Sequence, residues 1–480
     1  MILCDKAPML RFVLACALLA GCGQALNGPF QSGQRLRARV LDGGQGAVSL
    51  QGWFDAELGT ACEFHVATDG RLRCLPTSAE GRIGWTETDV LYDDAACSHP
   101  LTAVALDAPA PAMVLGEPGA GTSCDSDDRP FPVHQRGAPR TDVAVMYYRY
   151  DGACEASSSD PATAQLFGLG EAVDPTAFVR ADISVEVVDA RISASVRRAD
   201  DRSYEIVGLV DRARDAECVT LWTALPSSCY PARMAWDVGY HADAACTEPV
   251  AYTSPFVPNG GEDECPPLVV MAYGEDCGAP VTRAIGERTD AVATEWGDGE
   301  CLPLDQPDDP HAYYEVGAPI PLDEWPQIEP IEGGTGPLRV REGGVNGQAL
   351  QQDWPAFADT TWGEPCSPAL FCDGTTRCLP SYAWADTFAD AACTERIIRV
   401  GASCGVPSDD QLALKPSTAV DGCIAEGDVV RVGDPVTPAE VWYGDGVNCV
   451  PYGEFDPTLW RAAGDAVATT AFAELIRRTE

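Results

Sequence analysis

Lysine is nearly missing: it occurs twice in 480 residues, at Lys6 and Lys415. Arginine carries almost all the cationic charge, and 73 acidic residues stand against 32 basic ones for a net charge of −41. A field of that sign repels phosphate backbones and excludes nucleic acid as a partner. Nothing approaches the roughly 18–20 apolar residues of a transmembrane helix. No Cys-x-x-Cys is present, which removes zinc ribbons and thioredoxin-like redox motifs. The five histidines (His65, His99, His134, His241, His311) include no His-Glu-x-x-His, and no Gly-x-x-x-x-Gly-Lys-Ser/Thr cradles a phosphate. Long helical periods are also missing, because 46 glycines and 38 prolines interrupt them.

What is present begins with the N-terminus. Lys6 and Arg11 precede an apolar run, Phe12 to Ala20, too short to span a bilayer. It runs into Leu19-Ala20-Gly21-Cys22, which resembles a bacterial lipoprotein signal; an ordinary secretory signal is the simpler alternative. The resemblance implies cleavage after residue 21, a diacylglycerol on the Cys22 thiol, and, with Gly23 next, the outer membrane of the cell envelope. On that reading residues 1–21 are the signal and 22–34 a flexible tether.

Export suits the 21 cysteines. Cys4 and Cys16 leave with the signal and Cys22 takes lipid, so 18 remain to pair in an oxidising compartment. These fall into three groups. The first holds Cys62, Cys74, Cys97, Cys124 and Cys154; the second Cys218, Cys229, Cys246, Cys265, Cys277 and Cys301; the third Cys366, Cys372, Cys378, Cys393, Cys404, Cys423 and Cys449. Sequence leaves their connectivity open. Odd counts in the first and third groups permit one bond between them, which would close a ring.

The groups are copies. Asp-Ala-Ala-Cys followed by Ser or Thr ends at Cys97, Cys246 and Cys393, intervals of 149 and 147. "RCLP" at Cys74 and Cys378, "CYP" at Cys229, an opening cysteine (Cys62, Cys218, Cys366) and a closing one (Cys154, Cys301, Cys449) keep the same register. Four landmarks define a threefold repeat of about 150 residues: repeat 1 over 35–180, repeat 2 over 181–322, a Pro- and Gly-rich linker over 323–337, and repeat 3 over 338–480.

Strand patterns fill each repeat. "LRARVLDGGQGAVSLQGWF" reads as a hairpin about Asp42-Gly43-Gly44, and "ADISVEVVDARISASVRR" alternates apolar and polar residues. Cys62 and Cys74 flank an Asp69-Gly70 turn, which sets their sulfurs face to face. Asp-Ala-Ala-Cys reads as a tight turn with a staple, its Asp accepting hydrogen bonds from turn N–H groups. The expected fold is all-β, with about twenty hairpin strands in a β-propeller-like closed body; three tandem β-sandwich modules are the alternative. The Ala-rich tail from Leu459 is expected to be a short C-terminal helix.

Aromatics keep the register too. Trp85, Trp236 and Trp384 precede the Asp-Ala-Ala-Cys cysteines; Trp296 and Trp442, and Tyr147, Tyr148 and Tyr150 in repeat 1, precede the closing ones. They read as core rings or as exposed platforms for sugar faces. Catalytic patterns fail on context. Gly401-Ala402-Ser403-Cys404-Gly405 lacks the strand and helix of a nucleophile elbow, and Asp125-Ser126-Asp127-Asp128 lacks the Gly and Glu of a calcium loop. No catalytic residue, metal or cofactor is assigned. The landmark set resembles Cys-rich repeat lipoproteins of the myxobacterial type, which implies location and repeat architecture alone. The expected role is a lipid-anchored surface protein that binds a glycan or protein partner or builds the envelope. The alternative is a polysaccharide hydrolase using paired carboxylates.

Overall fold

A computed structural model describes residues 28–480, apart from 78–90, 107–108, 120–128, 151–152, 158–159, 221–226, 254–265, 273–280, 298–299, 305–311, 400–411, 416–422, 445–448 and 453–459. Among the described residues there is no α-helix, only strands and single 3₁₀ turns. Cys22, Cys124, Cys265, Cys277, Cys404, Trp85, His311, Asp125–Asp128 and the Gly401–Gly405 motif lie outside them.

Each repeat opens with a four-stranded meander. In repeat 1 it comprises β1 (Leu36–Asp42), β2 (Val48–Asp55), β3 (Thr60–Val66) and β4 (Leu72–Pro76). A single later strand, β5 (Arg180–Val187), joins it to the next meander. Repeat 2 supplies β6 (Ile192–Ala199), β7 (Tyr204–Asp211), β8 (Ala216–Thr220), β9 (Ser227–Pro231) and the joining strand β10 (Gln327–Gly333). Repeat 3 supplies β11 (Leu338–Val345), β12 (Gln348–Asp359), β13 (Glu364–Leu370), β14 (Thr376–Pro380) and β15 (Glu474–Thr479). Every strand pairs with the next in chain order, and β15 pairs with β1, from Arg39↔Thr479 to Asp42↔Ile476. The hydrogen-bonded neighbours thus run in a closed circuit of fifteen strands.

Two expectations change here. The Ala-rich tail is not a helix: it is the strand Trp460–Ala466, a 3₁₀ turn at Thr469–Ala471 and β15. Alanine favours helix only weakly, and two waiting partners, β14 and β1, outweigh it. The segment read as a linker contains β10, which pairs with β9 and β11. Over 329–333 it pairs with β11 alone, so Pro330 and Gly333 sit where one edge is free of pairing.

Each meander curls around its own core, and the opening cysteine lies inside it. Cys62–Cys74 packs with Leu36, Ala38, Val40, Trp53 and Phe64. Cys366–Cys378 packs with Leu338, Val340, Phe357 and Leu475, and Cys218–Cys229 with Ile192, Leu209 and Ile328. The Cα–Cα spans are 5.2 Å for Cys62–Cys74, 5.3 Å for Cys366–Cys378 and 4.9 Å for Cys218–Cys229. Arg73 of "RCLP" bonds Asp69 of the preceding turn at 2.8 Å and the Phe178 carbonyl at 2.8 Å. Arg377 repeats both contacts with Asp373 and Phe472. Repeat 2 has Ser228 there, held by the Gln327 amide, so its "SSCYP" keeps the bracing with a shorter side chain.

Between meander and joining strand, each repeat inserts a smaller sheet. In repeat 2 the strands Met234–His241, Pro249–Thr253, Ala312–Ile320, Val281–Arg288 and Val269–Ala272 pair in turn and close into a five-strand barrel. Repeat 3 curls Thr387–Phe388, Arg396–Arg399, Trp460–Ala466, Val429–Pro435, Leu412–Leu414 and Tyr382–Trp384 in the same order. Repeat 1 presents a half-barrel of Leu91–Tyr92, Pro100–Ala105, Ala164–Ala172, Val133–Pro139 and Met113–Leu115. Glycines permit the tightest crossing: a Cβ at Gly286 or Gly433 would lie 2.8 or 2.9 Å from a backbone oxygen of the facing strand. Pairing between repeats, and a barrel and a half-barrel where radial blades were expected, set this fold apart from both arrangements anticipated.

Candidate binding sites on the small barrels

The Asp-Ala-Ala-Cys turns sit at one bend of each small sheet. Asp94 Oδ1 accepts the N–H groups of Ser98 and His99 at 2.9 Å each, and Oδ2 accepts the Ser98 hydroxyl at 2.7 Å. Asp243 and Asp390 do the same with Thr247–Glu248 and Thr394–Glu395. The following cysteines have φ of 48°, 52° and 50°, the left-handed region that L residues seldom enter. Their disulfides hold a neighbouring hairpin: Cys97–Cys154, Cys246–Cys301 and Cys393–Cys449, with Cα–Cα spans of 5.8, 5.8 and 6.0 Å. Cys372–Cys423 is added in repeat 3. All seven disulfides among the described residues lie within single repeats. The odd counts permitted a bond between first and third repeats; the β15–β1 pairing joins those repeats, and Cys124 and Cys404 lie outside the described residues.

Among the described residues, repeat 1 alone sets an arginine against the acidic residues of its turn. Asp93, Asp94, His99, Arg140, Asp142 and Tyr147 line an open cleft of about 450 Å³. It adjoins a second of about 560 Å³ lined by Leu106, Val143, Leu166 and Phe167. Arg140 contacts Asp93 and bonds Asp142 at 2.9 Å; His99 Nδ1 lies 3.3 Å from Asp93. Equivalent backbone bonds align the repeats residue by residue. Asp93 corresponds to Ala242 and Ala389, His99 to Glu248 and Glu395, and Arg140 to Thr289 and Val436. Sequence reasoning noted His99 without a role and missed Asp93, Arg140 and Asp142, since nothing local marks Arg140 as facing a turn more than forty residues away.

The chemistry of this cleft is that of an ion-pair network. Ligand atoms of Asp93, Asp94 and His99 lie within 4.8 Å of one another, yet Arg140 already faces Asp93 and the turn N–H groups occupy Asp94. The Ser98 hydroxyl and neighbouring N–H groups hold the Asp94 carboxyl down at about 2, and Arg140 lowers Asp142. A glycosidase acid needs the opposite, a carboxyl kept protonated near neutrality. Burial does raise one carboxyl, Glu342, but it sits on β11 in the circuit and lines neither cleft.

The registered aromatics divide. Trp236 and Trp442 are half-buried, whereas Trp384 is 54% exposed. The side chains of Trp85 and Trp296 lie outside the described residues. The largest buried tryptophans are instead Trp53, Trp325 and Trp460, which the register did not single out. Trp384 stands edge-on to Tyr382, centroids 5.4 Å apart at 87°. Tyr443, on the same sheet, is also exposed. Tyr382 carried no landmark; its only signal was alternation with Trp384 along a strand.

No curated protein and no solved structure matches the chain. The model of a family of unknown function, DUF7481, matches residues 17–297, from the apolar run through most of repeat 2. With more than half its length covered, the chain belongs to the DUF7481 family.

Proposed function

We propose that this is a lipid-anchored protein of the cell envelope that works by binding, and that its ligand is a glycan held on the exposed rings of repeat 3. The observation that carries this reading is the Tyr382–Trp384 pair, with Tyr443 on the same sheet: large apolar rings at 37%, 54% and 43% exposure, where the other tryptophans whose side chains are described are at least partly buried. Exposed aromatic faces favour the C–H faces of sugars, since the ring face carries partial negative charge. Seven disulfides require an oxidising compartment, which fits export. The Leu19-Ala20-Gly21-Cys22 sequence supplies the anchor and the outer membrane the location. Ionised carboxylates in the repeat-1 cleft favour binding over hydrolysis.

The test is co-sedimentation of the full chain with isolated envelope polysaccharide. Binding is expected, about tenfold weaker for Trp384→Ala and restored by Trp384→Phe. Release of new reducing ends by the wild-type chain, or binding indifferent to Trp384, overturns the reading. Cys22→Ala is expected to move the chain from the membrane fraction to the soluble one.

A further inference from the structure

The three joining strands occupy equivalent places and pair alike, each with the strand before it at two residues only: Arg180 and Ala181 in β5, Gln327 and Ile328 in β10, Glu474 and Leu475 in β15. β5 pairs with β6 along Ala181–Val187, but with β4 only at Arg180 and Ala181. Among the described residues, the other edge of 182–187 has no strand partner. That stretch alternates Ile183, Val185 and Val187, exposed by 54, 59 and 65%. An exposed apolar edge strand is a template for another strand, and proteins ordinarily block it with proline or charge. β10 has Glu329, Pro330 and Glu332 in its run, and β15 has Arg477 and Arg478. What sets β5 apart is the character of that edge: β-branched apolar side chains alternate along it, with no proline and no unpaired charge among them.

We propose that β5 is a self-association edge, pairing antiparallel with β5 of a second copy about a two-fold axis at Val185. The segment Ile183-Ser184-Val185-Glu186-Val187 is symmetric in pattern. With Val185 opposite itself, Ile183 faces the second copy's Val187, and Ser184 faces its Glu186. Opposed residues in antiparallel strands share a face, so three β-branched pairs line one side. No two acidic residues stand directly opposite. The strand's charges are also neutralised within each copy: Asp182 by Arg180 at 2.7 Å and Glu186 by Arg198 at 2.5 Å. The seam is thus uncharged in a chain of net charge −41. An acidic partner is disfavoured elsewhere on the surface and tolerated here. Pairing continues the circuit's own sheet from one copy into the other. Long-range repulsion between two such chains weakens with ionic strength, so the dimer strengthens as salt is added.

Sedimentation equilibrium of the full chain in density-matched detergent tests this. The wild-type mass is expected to rise toward twice the 50.9 kDa of one chain as salt increases, while Val185→Lys stays monomeric with an unchanged far-ultraviolet spectrum. Val185→Cys is expected to give a disulfide-linked dimer on non-reducing gels. Ile183→Cys is not, because its counterpart is four residues away across the seam. A wild-type chain monomeric at every salt concentration overturns the proposal. So does cross-linking at Ile183 equal to that at Val185. Slow exchange of those amides of 182–187 that point away from β6, in a proven monomer, also overturns it, since the edge is then covered by the chain itself.

Discussion

An aspartate that accepts three hydrogen bonds from the turn it opens is stabilised as the anion. Asp94 and Asp243 are held at about 2 by the Ser98 and Thr247 hydroxyls first and by backbone N–H groups with them. Thr375 does the same for Asp373 at the repeat-3 Asp-Gly turn. In the unfolded chain these groups titrate near 3.8. Their folded values are depressed, so the stabilisation is complete above that value and is lost as pH falls from there through about 2. Melting temperature is therefore expected to drop steeply between pH 4 and pH 2. Asp94→Asn, Asp243→Asn and Asp373→Asn together should lower the plateau at neutral pH and flatten that limb. Equal slopes for variant and wild type in an acid melting series would remove the turns from this account. At this scale the sequence was informative. Asp-Ala-Ala-Cys announces a turn because its bonds run between residues four and five positions apart. Arg140 and Asp93 announce nothing, because what joins them is the crossing of two distant strands.

Among elements, β15 has the most to do for its length. Six residues at the end of the chain pair with β14 on one side and β1 on the other, joining last repeat to first. Leu475 is buried in the repeat-3 core beside Leu338 and Phe357. Deleting residues 474–480 removes that side chain and breaks the circuit, leaving the edges of β1 and β14 open. The expected loss includes about 2–5 kcal/mol for the missing leucine, read as a lower denaturant midpoint. Amide exchange at β1 should accelerate, with the core of repeat 2 largely protected. Uniform acceleration across all three repeats would mean that the circuit unfolds as one unit. The tail was misread as helix for a definable reason. Alanine content is a local property, and the partners that make 474–479 a strand lie about 100 and 440 residues earlier. The linker reading of 323–337 failed likewise: proline and glycine are compatible with a loop, and equally with a strand whose one edge is free.

The whole molecule is three meanders, each pinned through its core by a cross-strand disulfide, with a second staple joining each small sheet to its hairpin. Each such bond is worth roughly 2–4 kcal/mol, chiefly through the unfolded chain. With seven described, full reduction is expected to abolish the folded state at 37 °C. Non-reducing peptide mapping should return Cys62–Cys74, Cys218–Cys229 and Cys366–Cys378, then Cys97–Cys154, Cys246–Cys301 and Cys393–Cys449, with Cys372–Cys423. A melt indifferent to excess reductant, or a map that joins any of these cysteines across repeats, would count against the framework.

The sequence by itself determined the strand class, the threefold repeat and the positions of the staples. Those depend on spacing along the chain and on the chemistry of neighbouring residues, which recur three times and check one another. Tertiary structure alone decided that the repeats are stitched by strand pairing, that β15 meets β1, that Trp384 faces outward while Trp53 and Trp460 are buried, and that the outer edge of β5 is apolar. Each depends on which distant backbone lies alongside, and backbone pairing is blind to side-chain identity except through the packing it finally permits.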